Sequence, residues 1–170
     1  MRKLTLLRHA KSSWDDPAKA DIDRPLAPRG RSAALKIGAF LAAQELIPDF
    51  ILCSPAQRTR ETLARILPFL KKDIDIRMDR SVYSAGTGDG LVAYLKALPI
   101  ETSHIMIVGH NPTMQQLALT LAQPVTDGYY AEIQKKFPSA ALAHMEFDIS
   151  GWQHLQKGGR LVHFVLPKNL

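Results

Sequence analysis

Two periods run through the hydrophobic pattern of this chain. Unbroken apolar runs at Leu4-Thr5-Leu6-Leu7, Phe50-Ile51-Leu52-Cys53 and Ile105-Met106-Ile107-Val108 have the length and β-branched content of strands buried on both faces. Between them, apolar residues recur at helical spacing. Residues 29–45 carry Ile37, Phe40, Leu41 and Gln44 on one side, and a second helix opening at Ser54-Pro55-Ala56-Gln57 carries Leu63, Ile66, Leu67 and Leu70. Ser54 is expected to cap that second helix, with Pro55 in its first turn.

Residues 74–78 form a weaker strand candidate, followed by the glycine-rich loop 84–90. Asp89 is expected to cap a helix bearing Leu91, Tyr94, Leu95 and Leu98. That loop lacks the G-x-G-x-x-G spacing of a dinucleotide site. The strand 104–108 leads into a helix opening at Asn111-Pro112, with Met114, Leu117, Ala118 and Leu121 inward. Residues 123–139 read as loop. The last two strands, 142–148 and 161–166, are separated by a glycine-containing segment that predicts an antiparallel pair joined by a short turn. Alternation of this kind predicts an α/β domain spanning 1–170, a three-layer αβα sandwich around a mostly parallel sheet.

Composition narrows the function. A chain of 170 residues, 46% hydrophobic, suits one core that buries about 70% of the surface its unfolded form exposes. Twenty-two Lys and Arg against sixteen Asp and Glu leave an excess of +6, which favours anionic partners without naming one. Zinc-finger spacing, an RNP-type aromatic run and a lysine-rich arm are all missing, so nucleic acid is not the expected anion. No apolar stretch approaches the ~18 residues of a membrane span. The one cysteine, Cys53, rules out an internal disulfide and suits a reducing cytoplasm.

Chemistry gathers at strand ends. Arg8-His9-Ala10 closes the first apolar run and Gly109-His110-Asn111 closes the central one; carboxyl ends of parallel strands line the ligand crevice of such folds. An imidazole attacking phosphorus needs a neutral ring with one free nitrogen and cationic donors around the phosphoryl oxygens. Arg8 and Arg58 offer those donors as fixed guanidinium forks, and their charge lowers the pKa of His9. The other ring nitrogen of His9 is expected on a backbone carbonyl. His110 can donate to the transferring group. The remaining histidines have no metal-ligand spacing, and Ser54 lacks the G-x-S-x-G elbow of a serine nucleophile.

Together these residues resemble the histidine phosphatase superfamily, also called phosphoglycerate mutase-like, and within it the short SixA-like phosphohistidine phosphatases. The likeness rests on Arg8-His9-Ala10, on Asp23-Arg24-Pro25-Leu26 with Arg29-Gly30, on Ser54-x-x-x-Arg58-Thr59-x-x-Thr62, and on Gly109-His110-Asn111. It implies a phosphoenzyme on His9, with Arg8, Arg58 and His110 completing the phosphate pocket and Arg24 as a further substrate contact. It also implies no metal and no cofactor. The implied partner is a phosphorylated protein, such as a histidine phosphotransfer domain, or else a small phosphorylated metabolite; a non-catalytic phosphate-binding module is a third reading, and the oligomeric state stays open. Two residues depart from the family pattern: Ala10 stands at a usual glycine and Asp15 at a usual asparagine. No glutamate occupies the usual place of the general acid, leaving Asp21, Asp23, Asp89 or none. That gap favours phosphohistidine, whose ring leaves as imidazole once protonated, over an alkyl ester that must expel an alkoxide.

Overall fold

A computed structural model describes residues 1–125 and 128–170. Its centre is β1 (Arg2–Arg8), flanked in parallel by β4 (His104–Gly109) and antiparallel by β5 (Leu142–Phe147). With β2 (Phe50–Cys53), β3 (Asp75–Met78) and β6 (Arg160–Val165), the sheet has the order β3-β2-β4-β1-β5-β6. This is the expected mixed α/β architecture, four parallel strands followed by an antiparallel pair.

Alternation along each strand sorts side chains between two helical layers. Leu7, Ile51, Met106 and Leu142 face α1 (Pro28–Ala43) and α2 (Gln57–Ile66). Leu4, Leu6, Ile105 and Ile107 face α4 (Asp89–Lys96) and α5 (Thr113–Leu121), with Ile133 of α6 (Gly128–Lys135) closing that side. A four-residue turn of helix, α3 (Arg80–Tyr83), follows β3.

Several local expectations are corrected. Helix α6 occupies part of the segment read as loop, because only Ile133 of it is fully buried and so thin a stripe leaves no helical period to detect; residues 126–127 of that reading lie outside the described residues. Ser54 does not cap α2, since the chain bends at Pro55 and Ala56, Ala56 takes the capping position and the helix starts at Gln57. Gly88, at φ 88°, takes the capping position expected of Asp89. Gln44 is exposed, just past the end of α1. Residues 148–159 join β5 to β6 through a 3-10 turn at Trp152–His154 rather than a tight turn, because Trp152 is fully buried there and donates Nε1–H to the Thr102 carbonyl at 2.7 Å.

Beneath α1 the sheet buries a line of polar side chains. His104 Nδ1 lies 3.1 Å from the Ile47 carbonyl, which can only accept, so this nitrogen carries the proton. Its Nε2 then accepts from the Thr5 hydroxyl at 2.8 Å, and that oxygen accepts in turn from His144 Nδ1 at 2.8 Å. The chain ends on a bare His144 Nε2, buried and without a partner among the described residues. Burial holds His104 down to about 4 and His144 to about 3, so both rings are neutral at pH 7.

Candidate active site

Strand register brings the site together. Arg8 sits opposite Gly109 and Cys53 opposite Val108, so the next residues of the three strands, His9, Ser54 and His110, emerge side by side at one end of the sheet. Two backbone bonds extend the pairing, His9 N–H to the Gly109 carbonyl at 2.9 Å and Ser54 N–H to the Val108 carbonyl at 3.0 Å.

His9 Nδ1 donates to the Ala10 carbonyl at 2.7 Å. A neutral ring so anchored leaves Nε2 bare. Burial pushes the ring down to about 3; the Ala10 carbonyl opposes that shift, while His110, Arg58 and Arg8 add to it. The imidazole is therefore unprotonated across the physiological range, the state a nucleophile needs.

The ring centroid of His110 lies 5.1 Å from that of His9. Its Nε2 donates to Ser54 Oγ at 2.7 Å, while Nδ1 faces the Arg58 guanidinium at 3.3 Å and accepts from it. Burial first, then the charge of Arg58, lowers His110 to about 4, with Asp21 opposing. Arg8 donates Nη1–H to the Phe137 carbonyl at 2.9 Å, and its buried Nε–H has no partner among the described residues. The four expected residues thus share one end of the sheet.

Threonines tie the pieces together. Thr62 Oγ1 accepts from Ala10 N–H at 3.0 Å and donates to the Arg58 carbonyl at 2.7 Å, clamping the His9 segment to the helix turn that carries Arg58. Thr59 Oγ1 donates to the Ser54 carbonyl at 2.8 Å and shapes the approach into α2. Ala10 is fully buried, its methyl in the core beneath α1, which accommodates the departure from glycine. Asp15 is exposed beside a small hollow that Ser13, Lys19 and Arg24 also line, and it makes no bond to the four site residues.

Of three further participants, the sequence offered Asp21 only as a candidate acid and Ser54 as a cap, and it carried no signal for Tyr83. Asp21 receives Arg58 Nη2–H at 2.9 Å, Tyr83 O–H at 2.9 Å and Arg24 Nη1–H at 3.1 Å. Burial alone would raise its pKa, but the bonds from Tyr83, Arg58 and Arg24 prevail and hold it at about 2. Tyr83 also stacks edge-on against His110, with ring centroids 5.4 Å apart. Ser54, read as a cap, is the hydrogen-bond partner of His110. Arg24, expected at the substrate, is buried beneath Trp14 and donates to Ser12 Oγ, the Ser13 carbonyl and Asp21. It reaches the site through Asp21. Of the other acids considered, Asp23 is exposed on the turn that carries Asp21, and Asp89 accepts from Thr87 at the start of α4.

An uncharacterised protein of Mycobacterium tuberculosis is 36% identical over 166 residues, 95% of this chain and 100% of the relative. The structure of a provisionally named phosphohistidine phosphatase SixA from Nakamurella multipartitia superposes with a TM-score of 0.84 at 30% identity, covering 98% of this chain and 96% of that one. The sequence profile of the histidine phosphatase superfamily (branch 1) matches residues 4–82. The chain belongs to the histidine phosphatase superfamily. Within the superfamily it is SixA-like: phosphohistidine phosphatase SixA of Escherichia coli is 24% identical over 147 residues, 86% of each chain.

Proposed function

We propose that this protein is a metal-independent phosphatase that removes phosphate from phosphohistidine on a partner protein through a phosphoenzyme on His9. The observation that carries this reading is the His9 ring, fixed through Nδ1 with a bare Nε2 beside two guanidiniums. Arg8 and Arg58 supply permanent positive charge for the phosphoryl oxygens without a proton that could be lost. In the first step the Nε2 lone pair forms a bond to phosphorus as the substrate's P–N bond breaks. The substrate reacts as its phosphoimidazolium form, with the second ring nitrogen protonated from solvent, so the departing ring leaves as neutral imidazole. Water then displaces phosphorus from Nε2; its protons leave with orthophosphate and the lone pair returns to the ring.

Asp21 deepens the preference for a P–N bond. A carboxyl held at about 2 has no proton to give an alkoxide at pH 7. His110 spends its ring proton on Ser54, so it donates to phosphate only by turning from that hydroxyl. We assign Arg24 a positioning role, holding Asp21 rather than touching phosphate. The single thiol suits a reducing compartment, and we read the protein as cytoplasmic.

Turnover of phosphoimidazole should exceed that of sugar phosphates, and His9→Ala should abolish it along with the acid-labile phosphoenzyme. Arg58→Ala should lower the rate by about 10²–10³, the usual loss on removing one preorganised donor. Full activity in His9→Ala, or a preference for sugar phosphates, overturns the reading.

A further inference from the structure

A second hollow lies beside the site. It encloses about 610 Å³ between the start of α1, the end of β6 and the end of α6. Lys11, Arg29, Lys135, Lys136 and Lys168 line it against a single carboxylate, Glu132. An excess of four positive charges in one hollow accounts for most of the chain's net +6. None of these side chains forms an ion pair among the described residues. The floor is apolar, built from Phe164, Leu166 and Ala33.

Its position follows from the sheet. Val165 at the end of β6 pairs with Leu142, which pairs with Leu7 at the end of β1, so the hollow opens at the same end as His9. The two share a wall: Arg8 bonds the Phe137 carbonyl, the next two residues line the hollow, and Ala140 N–H bonds the His9 carbonyl at 3.0 Å. Lys11 is two residues beyond His9. The lip at Lys168 is held by a bond from Lys36 Nζ to the Pro167 carbonyl at 3.2 Å.

We infer that this hollow is a docking site for an acidic polypeptide segment of the protein substrate, one that places glutamates or aspartates on the lysine rim and an apolar side chain on the floor. The assignment of a protein substrate rests on the function proposed above. Nucleic acid fits less well, because the one aromatic side chain lining the hollow, Phe164, is buried and offers no stacking face. Charges on such a rim act on encounter and register, and they leave the chemistry untouched.

The test uses the folded full chain and a fluorescein-labelled twelve-residue peptide of glutamates with two central leucines. Fluorescence anisotropy at low salt should show binding that weakens at least tenfold in K135E/K136E/K168E and that weakens as salt rises. K168E alone should give a smaller loss in the same direction, and all three lysines are exposed, so melting temperatures should match the parent. Phosphoimidazole turnover by the triple variant should stay within twofold of the parent. Equal peptide binding by parent and variants overturns the docking site, as does tighter binding of a single-stranded DNA of equal charge. A parent that binds the peptide but never turns over phosphoimidazole counts against the phosphatase reading and leaves the site standing.

Discussion

Lowering the pH from 7.5 to 5.5 should cost this protein an unusual share of its stability. His9, His104, His110 and His144 are each less than a tenth exposed, and their folded pKa values are held at about 3, 4, 4 and 3 against 6.5 in the unfolded chain. Because the folded values are depressed, the unfolded chain takes up protons first, so the contribution is complete above pH 6.5 and drains away as pH falls towards the folded values. At pH 5.5 each ring costs about 1.4 kcal/mol relative to neutral pH, or about 6 kcal/mol for the four taken independently. Domains of this kind hold only about 5–15 kcal/mol in total. Carboxylates contribute little in this window, since the ordinary Asp range lies well below it. Urea unfolding at pH 7.5, 6.5 and 5.5, with the slope checked for constancy, measures the loss directly. His144→Asn keeps a donor for Thr5 and should remove about 1.4 kcal/mol of the pH-dependent part, whatever it does to stability at pH 7.5. A wild-type change smaller than one histidine's share, about 1.4 kcal/mol, would refute the argument that these rings are neutral by burial.

Two further outcomes follow from the geometry. Asp21 occupies Arg58 through a half-exposed ion pair, so Asp21→Asn should free that guanidinium for an oxyanion and tighten vanadate inhibition by up to about fivefold, the upper range for such pairs; weaker inhibition would show that Asp21 orients Arg58 more than it competes. A Cβ at Gly30 would lie 2.1 Å from the Lys11 carbonyl oxygen, so calorimetry on Gly30→Ala should show a loss of about 1–3 kcal/mol, equivalent to about 2–12 °C in Tm, and an unchanged Tm would mean the loop yields without cost.

What the sequence disclosed follows from how each signal arises. Apolar runs ending in Arg8-His9 and Gly109-His110 announce buried strands because a strand covered on both faces cannot alternate. Their side-by-side pairing then needs only the parallel register. The second helix was legible, yet its start was not: Ser54-Pro55 has the composition of a cap, and only tertiary contact with His110 shows that the hydroxyl serves the site. Helix α6 stayed hidden because Tyr129 and Tyr130 remain at least partly exposed beside Ile133. Asp21 and Tyr83 are 62 residues apart and carry no spacing that marks them. They meet through a direct bond, Tyr83 O–H to the carboxylate on which Arg58 and Arg24 also converge.

Cys53 ends β2 directly beneath Ser54, fully buried, and burial pushes its thiol up to about 12. A sulfur kept in the S–H form reacts slowly with peroxide, because the thiolate is the species that oxidises. On the reading proposed above, a centre built on imidazole, with its neighbouring sulfhydryl sealed in this way, would go on working through an oxidative burst that silences enzymes dependent on a thiolate.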